Sequence, residues 1–441
     1  MILNDTIVAP ATPTGGAIAI VRIEGSGAIA LSDSIFRSPR GPIAEMAGYT
    51  AAYGIIHDGD RRIDDVILTL FRAPHSYTGG DMVEIACHGS AYIVGEIVRL
   101  AVEKGARAAS AGEFTKRAFL AGKMDLSQAE AVADIIAADS KASLTMADTQ
   151  LRGRYSHSLA HLRGELLRLA ALLELELDFS EEDVEFADRG ELTTLLATID
   201  QQLTSLAASF GTGNAIKRGV AVAIVGAPNV GKSTLLNRIV GEERAMVSDI
   251  AGTTRDSIEE SVAIDGVRFR FIDTAGLHQT DDRLESMGIE RTHKAVEQAQ
   301  VVVEMFEREG EDFIALGEGQ HLVRVINKCD REGTTVPEGW VGISAKYDQG
   351  IDGLLKAIRQ CVDTNDIMRG EAVVSNSRHY EALIRAREAL SQATESLEMG
   401  ISTDLVAQDI REVLSIIGEI TGEVTSTDIL TEIFSKFCIG K

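Results

Sequence analysis

The chain has 441 residues, 45% of them hydrophobic and 25% charged, which is apolar material for about three domains of ordinary size. Its 67 acidic residues outnumber its 43 basic ones and leave a formal net charge of −24, so any nucleic acid it handles must be met by a local basic patch or gripped by a partner. Cys87, Cys329, Cys361 and Cys438 form no CxxC pair, which argues against a disulfide framework or a zinc site. With no signal-peptide pattern at Met1-Ile2-Leu3-Asn4-Asp5 and no apolar run long enough for a bilayer, a cytoplasmic protein without a membrane span is expected.

Residues 1–117 read as mixed α/β. Strands are expected at Ala17–Ile23 and Asp64–Phe71, and Met82–Cys87 alternates, with Val83, Ile85 and Cys87 on one face and Glu84 on the other. From Asp125 the pattern turns helical: Asp125-Leu126-Ser127-Gln128 resembles a capping box, and helical spacing runs through Ala129–Gln150. Leu159, Leu162, Leu166, Leu169 and Leu173 step by threes and fours, the stripe of a helix facing a bundle core. The acidic run from Glu174 to Asp188 is assigned no chemistry. Val220–Val225 is a short apolar strand, after which strand and helix signals alternate to about Asp366, as a parallel sheet with crossover helices requires. Past Ser375 the sequence is helical again. The expected architecture is an α/β domain over 1–117, a discontinuous helical domain over 118–216 and 368–441, and an inserted P-loop domain over 217–367.

The insert carries four ordered motifs, each at a strand end. Gly226-Ala-Pro-Asn-Val-Gly231-Lys232-Ser233 fits GxxxxGK[ST] between a strand and a helix. Its backbone N–H groups, from Asn229 and Val230 to Thr234, can curl around phosphate oxygens, with Lys232 on the β/γ-phosphates and the Ser233 hydroxyl on Mg²⁺. Gly252-Thr253-Thr254-Arg255-Asp256 offers Thr254 as a second Mg²⁺ ligand, and the stretch Ser248, Asp249, Ile250, Ala251 leads into it. In Asp273-Thr274-Ala275-Gly276, Asp273 can hold Mg²⁺ through water and the Gly276 N–H can sense the γ-phosphate. In Asn327-Lys328-Cys329-Asp330, the Asp330 carboxylate can accept the N1–H and 2-amino hydrogens of guanine, a donor pair that adenine lacks, while the Lys328 stem lies over the base and Ser344-Ala345-Lys346 closes the pocket. The insert is therefore read as a GTP-hydrolysing G domain. Leu277, directly after the third motif, cannot orient a water, so catalysis needs other groups. On the residues alone, Asn229 is either a turn residue after proline or a monovalent-cation ligand, and Glu285 is either a helix-surface glutamate or the group that orients water.

Four further stretches carry a family resemblance: Asp5-Thr6-Ile7-Val8-Ala9 with Arg22; Ser76-Tyr77-Thr78-Gly79 through Glu84 and His88-Gly89; Gly112 through Phe119 with Lys123 to Ala131; and the ending Phe437-Cys438-Ile439-Gly440-Lys441. Together with a G domain placed mid-sequence, these stretches resemble the MnmE (TrmE) GTPases of tRNA modification, along essentially the whole length. The resemblance implies a dimer formed through the N-terminal domain, and a 5-formyl- or methylene-tetrahydrofolate bound there by the residues matching the family's contacts, Arg22, Glu84, Lys123 and Lys441. It implies a potassium ion held by Asn229 and the carbonyls of Ser248, Ile250 and Thr253, G domains meeting across their nucleotides, and Glu285 orienting water. The implied reaction adds aminomethyl or carboxymethylaminomethyl groups to carbon 5 of the wobble uridine of certain tRNAs. The implied partner is the FAD-dependent protein MnmG, in a heterotetramer. Cys438 matches a tail cysteine, read either as a small residue near a terminus or as a participant in modification.

The sequence departs from the family pattern at His278, where arginine is common, at Ser248, where threonine is frequent, and at Val301–Phe306, which lacks the aspartate usual after that strand. Three other readings share the G motifs: a ribosome-assembly GTPase of the Era or Der kind, a scaffolding GTPase without covalent chemistry, and a folate-dependent one-carbon enzyme with a regulatory G domain. A Der-like protein has a second G domain, an Era-like protein has a basic RNA-binding tail, and a scaffold has no need of a folate pocket.

Overall fold

Period-two alternation builds the first sheet. In a computed structural model of the protein, which describes residues 5–178, 189–243, 259–272, 293–309 and 315–441, the N-terminal elements run β1 (Ile7–Pro10), β2 (Ile18–Glu24), α1 (Ala28–Ile35), β3 (Phe36–Arg37), β4 (Thr50–Asp58), β5 (Arg61–Phe71), β6 (Met82–His88), α2 (Ala91–Glu103) and β7 (Arg107–Ala108). Strand order is β3-β4-β5-β6-β2-β1-β7, antiparallel except for β1 beside β7. Val21, Ile23, Leu68, Leu70, Val83 and Ile85 share one core with α1 and α2. The opposite face of β2 and β6 carries Arg22 and Glu84, directly paired in register. Next come α3 (Glu113–Leu120) and α4 (Leu126–Ala137), whose Leu126 and Ala129 join Leu430, Ile433, Phe434 and Phe437 of the last helical segment in a small core.

The protein divides into two compact units, one holding the described residues up to Ala133 together with Gly418–Lys441, the other Asp134–Ile417. The second unit continues with α5 (Lys141–Leu151), α6 (Arg154–Asp178), α7 (Arg189–Ala208) and α8 (Phe210–Arg218). The helical run expected over Ala129–Gln150 is two helices: Asp125 and Gln128 cap the first reciprocally at 2.9 Å, and Ser140 starts the second, its hydroxyl accepting from the Ser143 N–H at 3.2 Å. All five leucines of the predicted stripe on α6 are buried. The acidic run is described only as far as Asp178.

The inserted sheet follows: β8 (Val220–Gly226), α9 (Lys232–Glu243), β9 (Glu259–Ile264), β10 (Val267–Ile272), β11 (Val301–Phe306), β12 (His321–Ile326), β13 (Val341–Gly342), α10 (Ile351–Gln360) and α11 (Asn365–Arg369). Strand order is β13-β12-β11-β8-β10-β9, parallel throughout except for the edge hairpin β9/β10. β8 is buried from Val220 to Val225, as a central parallel strand must be. The backbone then returns to helix with α12 (Ser377–Glu398), α13 (Thr403–Thr421) and α14 (Thr427–Ser435). α12 packs on α7, where Arg387 Nε reaches Asp200 Oδ1 at 3.2 Å. Entry and exit of the insert lie side by side: the Ser209 hydroxyl accepts from the Val374 N–H at 3.0 Å across 165 residues of sequence. Among the described residues no helix is long and apolar enough to cross a membrane.

Candidate nucleotide site and tail pocket

The phosphate loop begins where β8 ends and closes at the first turn of α9. Asn229 occupies the left-handed region at φ 61°, which asparagine tolerates better than most residues, and its side chain is exposed. Gly231 (φ 109°) has a second reason to be glycine: a Cβ there would sit 2.3 Å from Asn327 Nδ2. Lys232 turns back over the loop and donates to the carbonyls of Gly226 and Ala227 at 2.8 and 3.0 Å; burial lowers its pKa, so its charge is poorly hydrated where a phosphate would compensate it. Ser233 and Thr234 follow on α9, Ser233 half-buried.

The base loop is tied to the phosphate loop through one buried amide. Asn327 Nδ2 donates to the Val230 carbonyl at 2.7 Å, and its Oδ1 accepts from the Ala345 N–H at 3.0 Å. The Ser344 hydroxyl donates to Asp330 Oδ1 at 2.6 Å, and this bond holds the exposed Asp330 carboxyl below its ordinary pKa, ionised and fixed in direction. Lys346 Nζ lies 4.9 Å from the Tyr347 ring centroid. Beside this loop an open cleft of about 540 Å³ is lined by Thr234, Asn237, Arg238, Gly241, Ala345 and Lys346. Lys328 has φ 65°, and its Nζ donates to the Asn229 carbonyl at 3.1 Å. Ser248, Asp249, Ile250, Ala251, Gly252, Thr253, Thr254, Asp273, Thr274, Ala275, Gly276 and Glu285 lie outside the described residues.

In the N-terminal unit, Arg22 and Glu84 form an ion pair at 2.7 Å. Arg22 also donates to the Gly440 carbonyl at 2.9 Å and lies between the rings of Tyr77 and Phe114, with centroids at 5.9 and 5.4 Å. The tail is seated by further backbone bonds, Phe114 N–H to Lys441 O and Gly112 N–H to Cys438 O. A Cβ on Gly440 would meet the Pro10 carbonyl at 2.1 Å. Arg22, Glu84 and the backbone at 440–441 are thus brought together. Lys123 is exposed on the turn after α3 with its aliphatic stem against Gly79, and Cys438 is exposed. Nothing in the sequence marks Tyr77, Phe114 and the Gly440 carbonyl as partners of Arg22; tertiary contact alone makes them so.

A strand, a glycine-bearing loop over a helix start and an Asn-Lys-Cys-Asp loop fastened to it define a P-loop guanine-nucleotide-binding domain inserted in a helical one. Residues 126–438 match the model of the MnmE helical domain, and residues 6–123 that of the GTP-binding protein TrmE N-terminus. The tRNA modification GTPase MnmE of Flavobacterium psychrophilum is 46% identical, with all of both chains covered, and that of Porphyromonas gingivalis is 48% identical over 99% of this chain and 98% of its own. A solved structure of Aquifex aeolicus Era bound to GDP and aluminium fluoride covers 38% of this chain and 66% of its own at 27% identity, with a TM-score of 0.25. The chain belongs to the MnmE family of tRNA modification GTPases.

Proposed function

We propose that this protein is the GTP-hydrolysing component of a cytoplasmic tRNA wobble-uridine C5 modification system. The observation that carries the GTP reading is the Asn327 amide, which locks the phosphate loop and the base loop at a fixed spacing before any ligand arrives. Asp330, held ionised by Ser344, reads the two donors on one edge of guanine, and Lys328 covers the base. Lys232 leaves the Gly226 and Ala227 carbonyls for the β/γ-phosphates, which restore the solvation its ammonium lacks.

Ser233 and Thr254 would hold Mg²⁺, with Asp273 reaching it through water. Asn229 would hold K⁺ with the carbonyls of Ser248, Ile250 and Thr253; its left-handed backbone and exposed side chain suit a ligand at the loop's outer rim. The potassium would supply to the transferring phosphoryl group the positive charge that an arginine supplies elsewhere, beside the Mg²⁺. Glu285 would orient the attacking water, and closure of two G domains in the homodimer would bring it into place. Val230, Gly231, Thr234, Asp249, Ala251, Gly252, Thr274, Ala275, Gly276, Ala345 and Lys346 complete the proposed nucleotide contacts.

The pocket of Arg22, Glu84, Lys123 and Lys441 would take a tetrahydrofolate, 5-formyl or methylene, which supplies the one-carbon unit. Arg22 offers a cation to a carboxylate and Glu84 an acceptor to pterin N–H groups, while the rings of Tyr77 and Phe114 flank them. Cys438 lies exposed on the tail that lines this pocket. An FAD-dependent MnmG-like partner, forming a heterotetramer with the dimer, would supply much of the tRNA grip that a protein of charge −24 lacks. The ribosome-assembly reading has only the G motifs in its favour.

The decisive experiment is GTP turnover in potassium chloride against sodium chloride at equal ionic strength. Strong potassium activation that Asn229→Ala abolishes is expected; equal rates in both salts would remove Asn229 from the catalytic set while leaving GTP hydrolysis in place.

A further inference from the structure

β11 ends at Phe306, and the aspartate usual after this strand is missing from Val301–Phe306. An acid is nevertheless delivered there, one residue on. The Glu307 carboxylate pairs with Lys328 Nζ through Oε1 and with Arg331 Nη1 through Oε2 at 3.3 Å. Lys328 is the base-covering lysine of Asn-Lys-Cys-Asp, and the same ammonium donates to the Asn229 carbonyl of the phosphate loop at 3.1 Å. One cation is thus shared by the end of β11 and the phosphate loop. It projects from a left-handed backbone at φ 65°, a conformation unfavourable for a non-glycine residue and one that surrounding contacts must hold. Lys328 is largely buried for a lysine, at 26% side-chain exposure, and Glu307 is 39% exposed, so the pair is only partly screened by water.

We infer that Glu307 is a positioning residue of the guanine pocket, acting through Lys328 to fix the lysine stem over the base plane. It touches neither base nor phosphate in this assignment. A free lysine would sample several rotamers, losing affinity each time it must be ordered over the base; an anion at the end of β11 removes those alternatives in advance. Arg331, bridged to the same carboxylate, keeps the segment after Asp330 against the strand end. The inference rests on the guanine-nucleotide reading proposed above.

The test is a double-mutant cycle on the full-length protein, read as GDP affinity by titration of a fluorescent GDP derivative. Glu307→Gln should weaken binding about five- to tenfold, the scale of a partly screened charge-assisted contact. Lys328→Met should weaken it as well. In the Lys328→Met background the Glu307→Gln change should have almost no further effect, and Glu307→Asp should recover part of the affinity in the parent. A purely structural glutamate predicts the opposite: equal losses in both backgrounds, matched by a fall in melting temperature. That result, or an unchanged affinity for Glu307→Gln, overturns the assignment. Failure of the parent protein to bind GDP would instead overturn the nucleotide reading itself.

Discussion

At the scale of single residues, the N-terminal unit is held by a knot of charges that the sequence hides. Arg117, almost fully buried, donates to Glu24 at 2.7 Å, to Glu113 at 3.1 Å and to Asp5 at 2.7 Å, while Arg107 donates to Glu113 and Asp5. Burial pushes the Glu113 carboxyl up, but hydrogen bonds from Arg107, the Ser110 N–H and Arg117 outweigh it and bring the pKa down to about 2. Glu24, with fewer donors, stays raised by its burial. A depressed carboxyl stabilises the fold above its unfolded value near 4.5 and loses that contribution as pH falls towards about 2. The contribution is at most about 3 kcal/mol, since Arg107 is half-exposed and screened. Melting temperature measured between pH 6 and pH 3 should therefore fall more steeply for the parent than for Glu113→Gln, and parallel slopes would sink the assignment. Glu24 runs the other way, and because the Glu113 charge contributes to its raised pKa, the difference in slope reports Glu113 together with its effect on Glu24. Only the Glu113–Arg117 pair, one turn apart on α3, is legible in the sequence; Asp5, Glu24 and Arg107 lie on separate segments, and tertiary contact alone brings them to that pair. Glu307 is hidden for the same reason, since Lys328 lies 21 residues further on.

At the scale of elements, legibility follows period and punctuation. The leucine stripe announces α6 because five large apolar residues at helical spacing have no other economical use, and Leu159 to Leu173 are indeed buried. Truncating its middle, Leu166→Ala, should cost about 2–5 kcal/mol in chemical denaturation of the second unit, through lost burial and the cavity left behind; a loss under about 1 kcal/mol would mean the stripe faces a loosely packed region. The break between α4 and α5 is hard to read because serine at 140 also sits comfortably in a continuous helix; in the structure its hydroxyl instead caps the Ser143 N–H and starts a second helix. Phosphate and base loops are readable for a different reason. Residues such as Gly231, Lys232 and Asp330 answer to a ligand's chemistry as well as to packing, so their spacing is written locally. The Arg22 pocket is readable only by family resemblance, since an isolated arginine and glutamate on two strands carry no local signal.

At the scale of the whole molecule, the insertion geometry has consequences of its own. Ser209 and Val374 touch, so the helices on either side of the insert need not be held apart by it. Replacing the residues between these points by a short glycine-serine linker should leave a cooperatively melting, helical protein that no longer binds GDP; loss of helicity by circular dichroism would show that the insert is part of the bundle's support. The reverse dissection should fare worse. Ala142, Met146, Ala215 and Ile216, from α5 and α8, are buried in the same core as the sheet residues Val222, Phe269 and Val303, and the Ala142 N–H donates to the Gly266 carbonyl on the β9/β10 turn. A fragment of 217–367 alone would expose that apolar surface to water.

The same arrangement sets an order of events at the ribosome. α5 and α8 are made before the sheet they help to close, so the G domain can fold as soon as it emerges. α7 is less fortunate. Its buried Leu192, Leu196, Ile199 and Leu203 lie on the helix that pairs with α12, and α12 is translated only after the whole insert. With Val374 lying 165 residues after Ser209, at about 5–20 residues per second, the nascent polypeptide carries that helix without its α12 partner for roughly 10–30 s. Over that interval the half-built bundle is a natural client for a chaperone.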